Sequence, residues 1–171
     1  RLNFPAIKKA TPSIALGTLD VSLSEITKAY ASFANSGEMN ELVTITKITD
    51  NKGTILYENE PATTETVFSK ETSDKITAIL QKAIDEGTGV KIRNHYGIRT
   101  DLAGKTGTAQ NYSNAWFMAY TPNLVIGTWV GASSPNVHFY SGKGSGSSLA
   151  LPISAYILKG METDAVLRTK Y

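Results

Sequence analysis

Cysteine is absent from the 171 residues, and histidine occurs only as His95 and His138. These absences exclude disulfides, thiolate catalysis and cysteine-based zinc sites, and two histidines so far apart argue against a histidine-dominated metal centre. No metal and no cofactor is expected. No apolar run approaches the roughly 20 residues of a membrane-spanning helix. Arg1-Leu2-Asn3-Phe4-Pro5 does not read as a signal peptide. Charge of one sign is missing as well: 17 basic and 15 acidic residues leave a formal +2, with no basic run interleaved with aromatics. Nucleic acid is therefore not an expected partner. What is present, 41% hydrophobic and 19% charged residues, is the balance of a soluble chain with one core.

Along the chain, residues 1–21 hold Pro5, Pro12, Gly17 and two lysines, Lys8 and Lys9, without a clean period. They read as an irregular lead-in whose Ile14, Ala15 and Leu16 dock on the core. Ser22-Leu23-Ser24-Glu25 has the form of a capping box, and Leu23, Ile26, Ala29, Tyr30 and Phe33 recur at helical spacing up to a glycine stop at Gly37. From Leu42 the period becomes two. With Asp50-Asn51-Lys52-Gly53 as the turn and Thr54 to Tyr57 as the return strand, the pattern predicts a surface β-hairpin. Residues 58–68, polar and containing Pro61, read as a loop. Ser69 caps a second helix to about Glu86, with Ile76, Ile79, Leu80, Ala83 and Ile84 as its buried stripe, ended by Gly87-Thr88-Gly89. The charged stretch 90–102 reads as a solvated loop, or as one that rims a cleft because it feeds the lysine segment, and the Ser- and Gly-rich stretch 132–148 as a mobile one. Leu149 to Gly160 predicts a third helix with Pro152 in its first turn.

Between these lies Ala103-Gly104-Lys105-Thr106-Gly107-Thr108-Ala109, then the strand-like runs Ala115 to Tyr120 and Leu124 to Gly131, separated by Thr121-Pro122-Asn123. The three runs read as a meander, and the whole as α+β: helices packed on an antiparallel sheet. If the first run is extended, Thr106 and Thr108 share a face. A lysine, two hydroxyls and two glycines together point to an anion-reading edge of a cleft. Lys105 by itself is compatible with a phosphate lysine, a Schiff-base nucleophile, a carboxylate clamp or a surface charge. A P-loop is excluded, because Arg99 stands where its first glycine is required.

Taken together, Ala103 to Thr108, Asn114-Ala115-Trp116-Phe117-Met118-Ala119-Tyr120-Thr121-Pro122 and Thr128-Trp129-Val130-Gly131 resemble the C-terminal half of a penicillin-binding protein transpeptidase domain, closest to the bifunctional class A type. Leu16-Gly17, the Ala29 to Gly37 segment and Glu86-Gly87-Thr88-Gly89 resemble the same family, so the likeness runs from about Pro12 to Gly160. It implies a single partial domain over 1–171 of the serine β-lactamase/transpeptidase-like fold. The implied activity is acyl transfer on the D-Ala-D-Ala end of a peptidoglycan stem peptide. The implied catalytic residues are Lys105, for electrostatic control, and Thr108, whose N–H is half of the oxyanion hole. Thr106, Gly107 and Thr108 are implied as substrate-binding, the two hydroxyls taking the terminal carboxylate and Gly107 keeping the strand bare. Implied partners are the stem peptide, β-lactams in the intact protein and the upstream half of the same domain. The implied location is extracytoplasmic, the parent protein being anchored in the cytoplasmic membrane.

The family's other signature elements, S-x-x-K and S-x-N, are not in place. No serine stands three residues before a lysine. Thr44-Ile45-Thr46-Lys47 and Thr72-Ser73-Asp74-Lys75 have the spacing with threonine instead, and Ser134-Pro135-Asn136 follows the K-T-G rather than preceding it. The nucleophile, its lysine and the S-x-N element are therefore expected upstream, and the chain alone is expected to be inactive and to self-associate through exposed apolar surface. Asn114 stands where many relatives carry Asp. Two alternatives remain at this point: a serine β-lactamase or D,D-carboxypeptidase relative, and a non-catalytic cell-wall peptide-binding module.

Overall fold

The computed structural model describes Leu2, Phe4 and residues 11–60 and 63–169. Pro5, Lys8 and Lys9 of the lead-in and Pro61 of the polar segment lie outside them. Helix α1 spans Leu23–Ala34 and begins with the full capping box: the Ser22 hydroxyl accepts from Glu25 N, and Ser22 N donates to the Glu25 carboxylate at 2.7 Å. The Ser22 amide and then its hydroxyl, both donating to that carboxylate, hold the Glu25 carboxyl below the usual carboxylate range. The helix ends through left-handed Ser36 and Gly37, with Gly37 N donating to Ser32 O. A Cβ on Gly37 would collide with the carbonyl of Phe68.

Strand β1 (Glu38–Asn40) follows, and it pairs antiparallel with β4 (Thr64–Thr66). This corrects the reading of 58–68 as loop. Between them β2 (Lys47–Thr49) and β3 (Ile55–Glu58) form the expected hairpin, with Asp50 Oδ1 accepting from Lys52 N and Thr54 N in the turn. Pairing starts only at Lys47, not at Leu42; beyond it the last ladder bond is Asn59 N to Thr46 O. Every residue of the hairpin strands is exposed.

Helix α2 (Lys70–Asp85) is capped by Ser69 as its sequence predicts. Its stripe is narrower than expected: Ile84 is fully buried, but Ile79 faces solvent. The stretch after it is not a solvated loop. One turn of helix, α3 (Lys91–Asn94), and the segment behind it bury Ile92, Ile98 and Leu102 completely. Arg93 fastens the segment, donating to the Asp85 carboxylate at 2.7 Å and to the carbonyls of Ile98 and Thr100. Charged residues outnumber the three apolar anchors here, which hid them from a composition-based reading.

The meander is as expected: β5 (Ala103–Thr108), β6 (Asn114–Tyr120) and β7 (Val125–Gly131) in antiparallel order. Helix α4 (Ala150–Thr163) runs past Gly160, where the third helix was expected to end. Because side chains alternate along a strand and cross-strand partners share a face, the sheet has two distinct sides. On one, Ala115, Phe117 and Ala119 pack with Ile84, Ile92, Leu102, Leu151, Ala155 and Leu158 as the core, and the Thr128 and Ser154 hydroxyls meet at 2.7 Å. The other side faces α1, with Tyr30 edge-on to Tyr120. Of the lead-in residues expected to dock, Ile14 is half-buried, whereas Ala15 and Leu16 are exposed, Leu16 to 87%, and no residue of the Pro12–Leu16 turn is fully buried.

Two left-handed glycines separate backbone strain from steric collision. Gly53 has φ +86° and open space around it, so Gly53→Ala is expected to cost about 1 kcal/mol. Gly37→Ala adds the clash with Phe68 and is expected to cost about twice that or more. Urea midpoints of the two variants check this; equal midpoints would contradict the clash.

Candidate functional site

Among the described residues strand β5 pairs with β6 alone, so its other edge is free of a partner strand there. Which backbone groups face that edge follows from the ladder. Ala109 N bonds to Asn114 O at 2.9 Å, continuing the register in which Gly107 faces Trp116 and Lys105 faces Met118. In an antiparallel ladder hydrogen-bonded and non-hydrogen-bonded pairs alternate, so residues 103, 105, 107 and 109 bond to β6. The N–H and C=O groups of Gly104, Thr106 and Thr108 are thereby turned to the free edge.

The side chains divide the other way. Lys105 and Gly107 lie on the α1 side, with their partners Met118 and Trp116; Thr106 and Thr108 lie on the core side, together as their spacing predicts. Lysine and hydroxyls thus stand on opposite faces and meet only at the edge. There the exposed Lys105 side chain folds over to donate from Nζ to Thr106 O at 2.8 Å. On the core side the hydroxyls have partners of their own. Thr106 Oγ1 lies 2.6 Å from Thr88 Oγ1, and Thr108 Oγ1 accepts from Gly146 N at 3.0 Å. Thr106 is 8% exposed, whereas Thr108 is open to solvent.

A cleft of about 1250 Å³ opens along the lysine side. Lys105, Thr106, Gly107 and Ala109 form one part of its lining, Asp20 and Ser22 another, and Leu23, Ile26, Tyr30, Trp116, Met118 and Trp129 much of its apolar part. Burial, aided by neighbouring Tyr120, pushes the Tyr30 phenol above the ordinary tyrosine range, so it stays neutral near pH 7. Asn114 lines the same cleft, its Oδ1 accepting from the Trp129 indole at 2.8 Å and its Nδ2 donating to Ser113 Oγ. A Cβ on Gly107 would lie 3.1 Å from the Cβ of Trp116, so close packing against that tryptophan favours glycine in addition to any need for a bare edge.

The near-miss motifs lie apart from the cleft lining. Lys47 pairs with Glu58 in the hairpin and Lys75 with Glu71 on α2. Ser134 Oγ caps Asn136 N in a turn. Among the described residues no group of three or more His, Asp or Glu stands where it could hold a metal. Sequence reading missed Thr88 and Gly146. The first stood in plain view as a hydroxyl between two helix-ending glycines; the second was one glycine of the 132–148 stretch. That stretch is in part well anchored, since Gly144 and Gly146 are buried and a Cβ on Gly146 would strike the carbonyls of Gly107 and Trp116.

Comparison with known proteins places this geometry in context. A family model described as the penicillin binding protein transpeptidase domain matches residues 2–157. Penicillin-binding protein 1A of Aquifex aeolicus is 39% identical over 144 residues, 82% of this chain and 19% of that protein. Penicillin-binding protein 1A of Rickettsia typhi is 34% identical over 167 residues, 85% of this chain and 21% of that one. The chain thus spans about a fifth of the length of these curated relatives. Among solved structures, penicillin-binding protein 1A from Haemophilus influenzae superposes with a TM-score of 0.80 at 26% identity, over 92% of this chain and 28% of that one. PonA1 from Mycobacterium tuberculosis gives 0.76 at 26% identity, over 95% and 46%. PonA1 has also been solved in complex with penicillin V, a match of fold with TM-score 0.73 at 23% identity, over 90% and 41%.

The Asn114 carboxamide holds the Trp129 indole through an acceptor oxygen, which a carboxylate also supplies. Asn114→Asp is therefore expected to keep stability and tryptophan emission close to those of the parent chain. Asn114→Ala is expected to lose about 1 kcal/mol and to shift emission to the red. Denaturation followed by tryptophan fluorescence reads both, and an unchanged Asn114→Ala would contradict the assigned contact.

Proposed function

Since the chain belongs to the penicillin-binding protein transpeptidase family, we propose that it forms the carboxylate-reading wall of a D,D-transpeptidase site, with β5 as the strand against which the substrate lies. The observation that carries the reading is the free edge of β5, where the Lys105 ammonium sits on Thr106 O beside the outward amides of Thr106 and Thr108. An extended stem peptide can add to such an edge through main-chain hydrogen bonds. Its terminal carboxylate then lies against the Lys105 charge and accepts from the Thr106 and Thr108 hydroxyls. The N–H of Thr108 points at the scissile carbonyl, and as that oxygen gains charge in the tetrahedral intermediate the donor strengthens. A donor of this kind contributes roughly 3–4 kcal/mol to the transition state.

The attacking serine, its lysine and the S-x-N element belong, on this reading, to an upstream half of the same domain, whose packing surface is the apolar lining of the cleft. The acyl-enzyme forms on that serine with loss of D-alanine, and an amine from a neighbouring stem resolves it. β-Lactams, one of which occupies PonA1 in its penicillin V complex, present the same carboxylate and acyl carbonyl. An extracytoplasmic location goes with a peptidoglycan substrate, and the proposal includes a membrane anchor on the parent protein. Exposed on the isolated chain, the cleft lining is a surface through which copies associate.

Fluorescent penicillin tests the proposal. The full-length protein is expected to label covalently, and Lys105→Ala to lower its acylation rate constant about a hundredfold. The isolated 171-residue chain is expected not to label. Covalent labelling of the isolated chain, or an unaffected Lys105→Ala enzyme, would overturn the proposal.

A further inference from the structure

We infer that Thr88 is a positioning residue for the carboxylate subsite: its hydroxyl donates to Thr106 and thereby commits the Thr106 proton to the substrate. The inference rests on the proposed reading of β5 as the substrate strand and deepens it. A threonine hydroxyl carries one proton and two lone pairs. To donate to a carboxylate at the free edge, Thr106 must be an acceptor in every other contact it makes. Its partner on the core side is Thr88 Oγ1, and at 2.6 Å the contact is at the short end for two hydroxyls. Either atom could be the donor when the edge is empty. An anion at the edge removes that freedom, because the reverse order would turn a Thr106 lone pair towards it, and only the order Thr88 to Thr106 to carboxylate presents it with a proton. Chains of this kind polarise cooperatively, so the last donor is a better one than an isolated hydroxyl.

Thr108 supports the same logic by a different route. Its oxygen accepts from the amide of Gly146, a group that can only donate, so the Thr108 proton is already free to face the substrate. Both hydroxyls of the strand are thus backed by a donor on the core side: a main-chain amide for Thr108 and the Thr88 hydroxyl for Thr106. Thr88 is solvent-exposed, so water can satisfy its own lone pairs, and its removal leaves no buried polar group unpaired except on Thr106. Its place is fixed by Gly89 N on Ala83 O at one side and by Val90 N on Gly87 O across it.

The test compares full-length wild type, Thr88→Val and Thr88→Ser in acylation by benzylpenicillin and by its carboxamide derivative, in which the carboxylate is neutral. Thr88→Val keeps the shape and loses the proton. Its second-order rate constant is expected to fall about tenfold for benzylpenicillin and to change less than twofold for the carboxamide, while Thr88→Ser stays within about threefold of wild type for both. Equal losses for the two compounds would mean a merely structural role and would overturn the inference, as would a Thr88→Val enzyme unchanged towards benzylpenicillin. Should Thr88→Val fail to fold, Thr88→Ala takes its place with the same criteria. A wild-type protein that reacts with neither compound would overturn the proposed function and this inference with it, whereas a reactive wild type with indifferent Thr88 variants defeats the inference alone.

Discussion

The parity of the β5–β6 ladder is the constraint on which the rest depends. With Ala109 bonded to Asn114, alternation leaves the odd residues of β5 paired inward and sends the amides of Thr106 and Thr108 out to the unpaired edge. A slip of one residue would exchange these sets, bury those amides in the sheet and carry Lys105 to the core side. Register is defended from both faces. On the core side Phe117, Ala115 and Ala119 fit among Leu151, Ala155 and Leu158, and on the other Trp116 covers Gly107 while Trp129 is pinned by Asn114. Packing that looks purely structural therefore decides which backbone groups are available for chemistry.

An unpaired edge strand is ordinarily a hazard, since it invites another strand. Here the hazard and the proposed function coincide: an edge that will accept a peptide must stay open. What the protein stabilises instead is the back of the strand. Gly146 approaches so closely that no side chain would fit there, and Thr88 reaches Thr106 from the end of α2. The three buried anchors Ile92, Ile98 and Leu102, with Arg93 tied to Asp85, hold the segment between α2 and β5 in place. Rigidity is thus supplied from behind, and the charged front is left for the ligand.

Much of this was legible in the sequence where the signal is local. The capping box at Ser22, the Ser69 cap, the Asp50 turn and the three strands of the meander each rest on residues within a few positions of one another, and each is found. The lysine and its neighbouring hydroxyls were legible as a group because glycines inside a strand need a reason. Other features required the third dimension. The β1–β4 pair joins two three-residue strands whose one apolar residue is the buried Met39, with Asn40 opposite Thr64, too short for any periodicity to appear. Residues 90–102 carry three decisive apolar side chains among many charges. Thr88 and Gly146 act on residues 18 and 38 positions away, and nothing in their own neighbourhood announces it. That lysine and hydroxyls lie on opposite faces follows from their spacing, but that they reunite at the edge depends on the path Lys105 takes to Thr106 O.

The central claim is that the free edge of β5 reads both the carboxylate and the reacting carbonyl, while the nucleophile comes from elsewhere in the protein. The most direct measurement is a crystal structure of the full-length protein acylated by a penicillin. The account predicts the acyl carbonyl oxygen about 2.7–3.1 Å from Thr108 N, the carboxylate against Lys105, Thr106 and Thr108, and the ester on a serine upstream of Arg1. An acyl carbonyl turned away from β5, or an ester on any serine of these 171 residues, would contradict it.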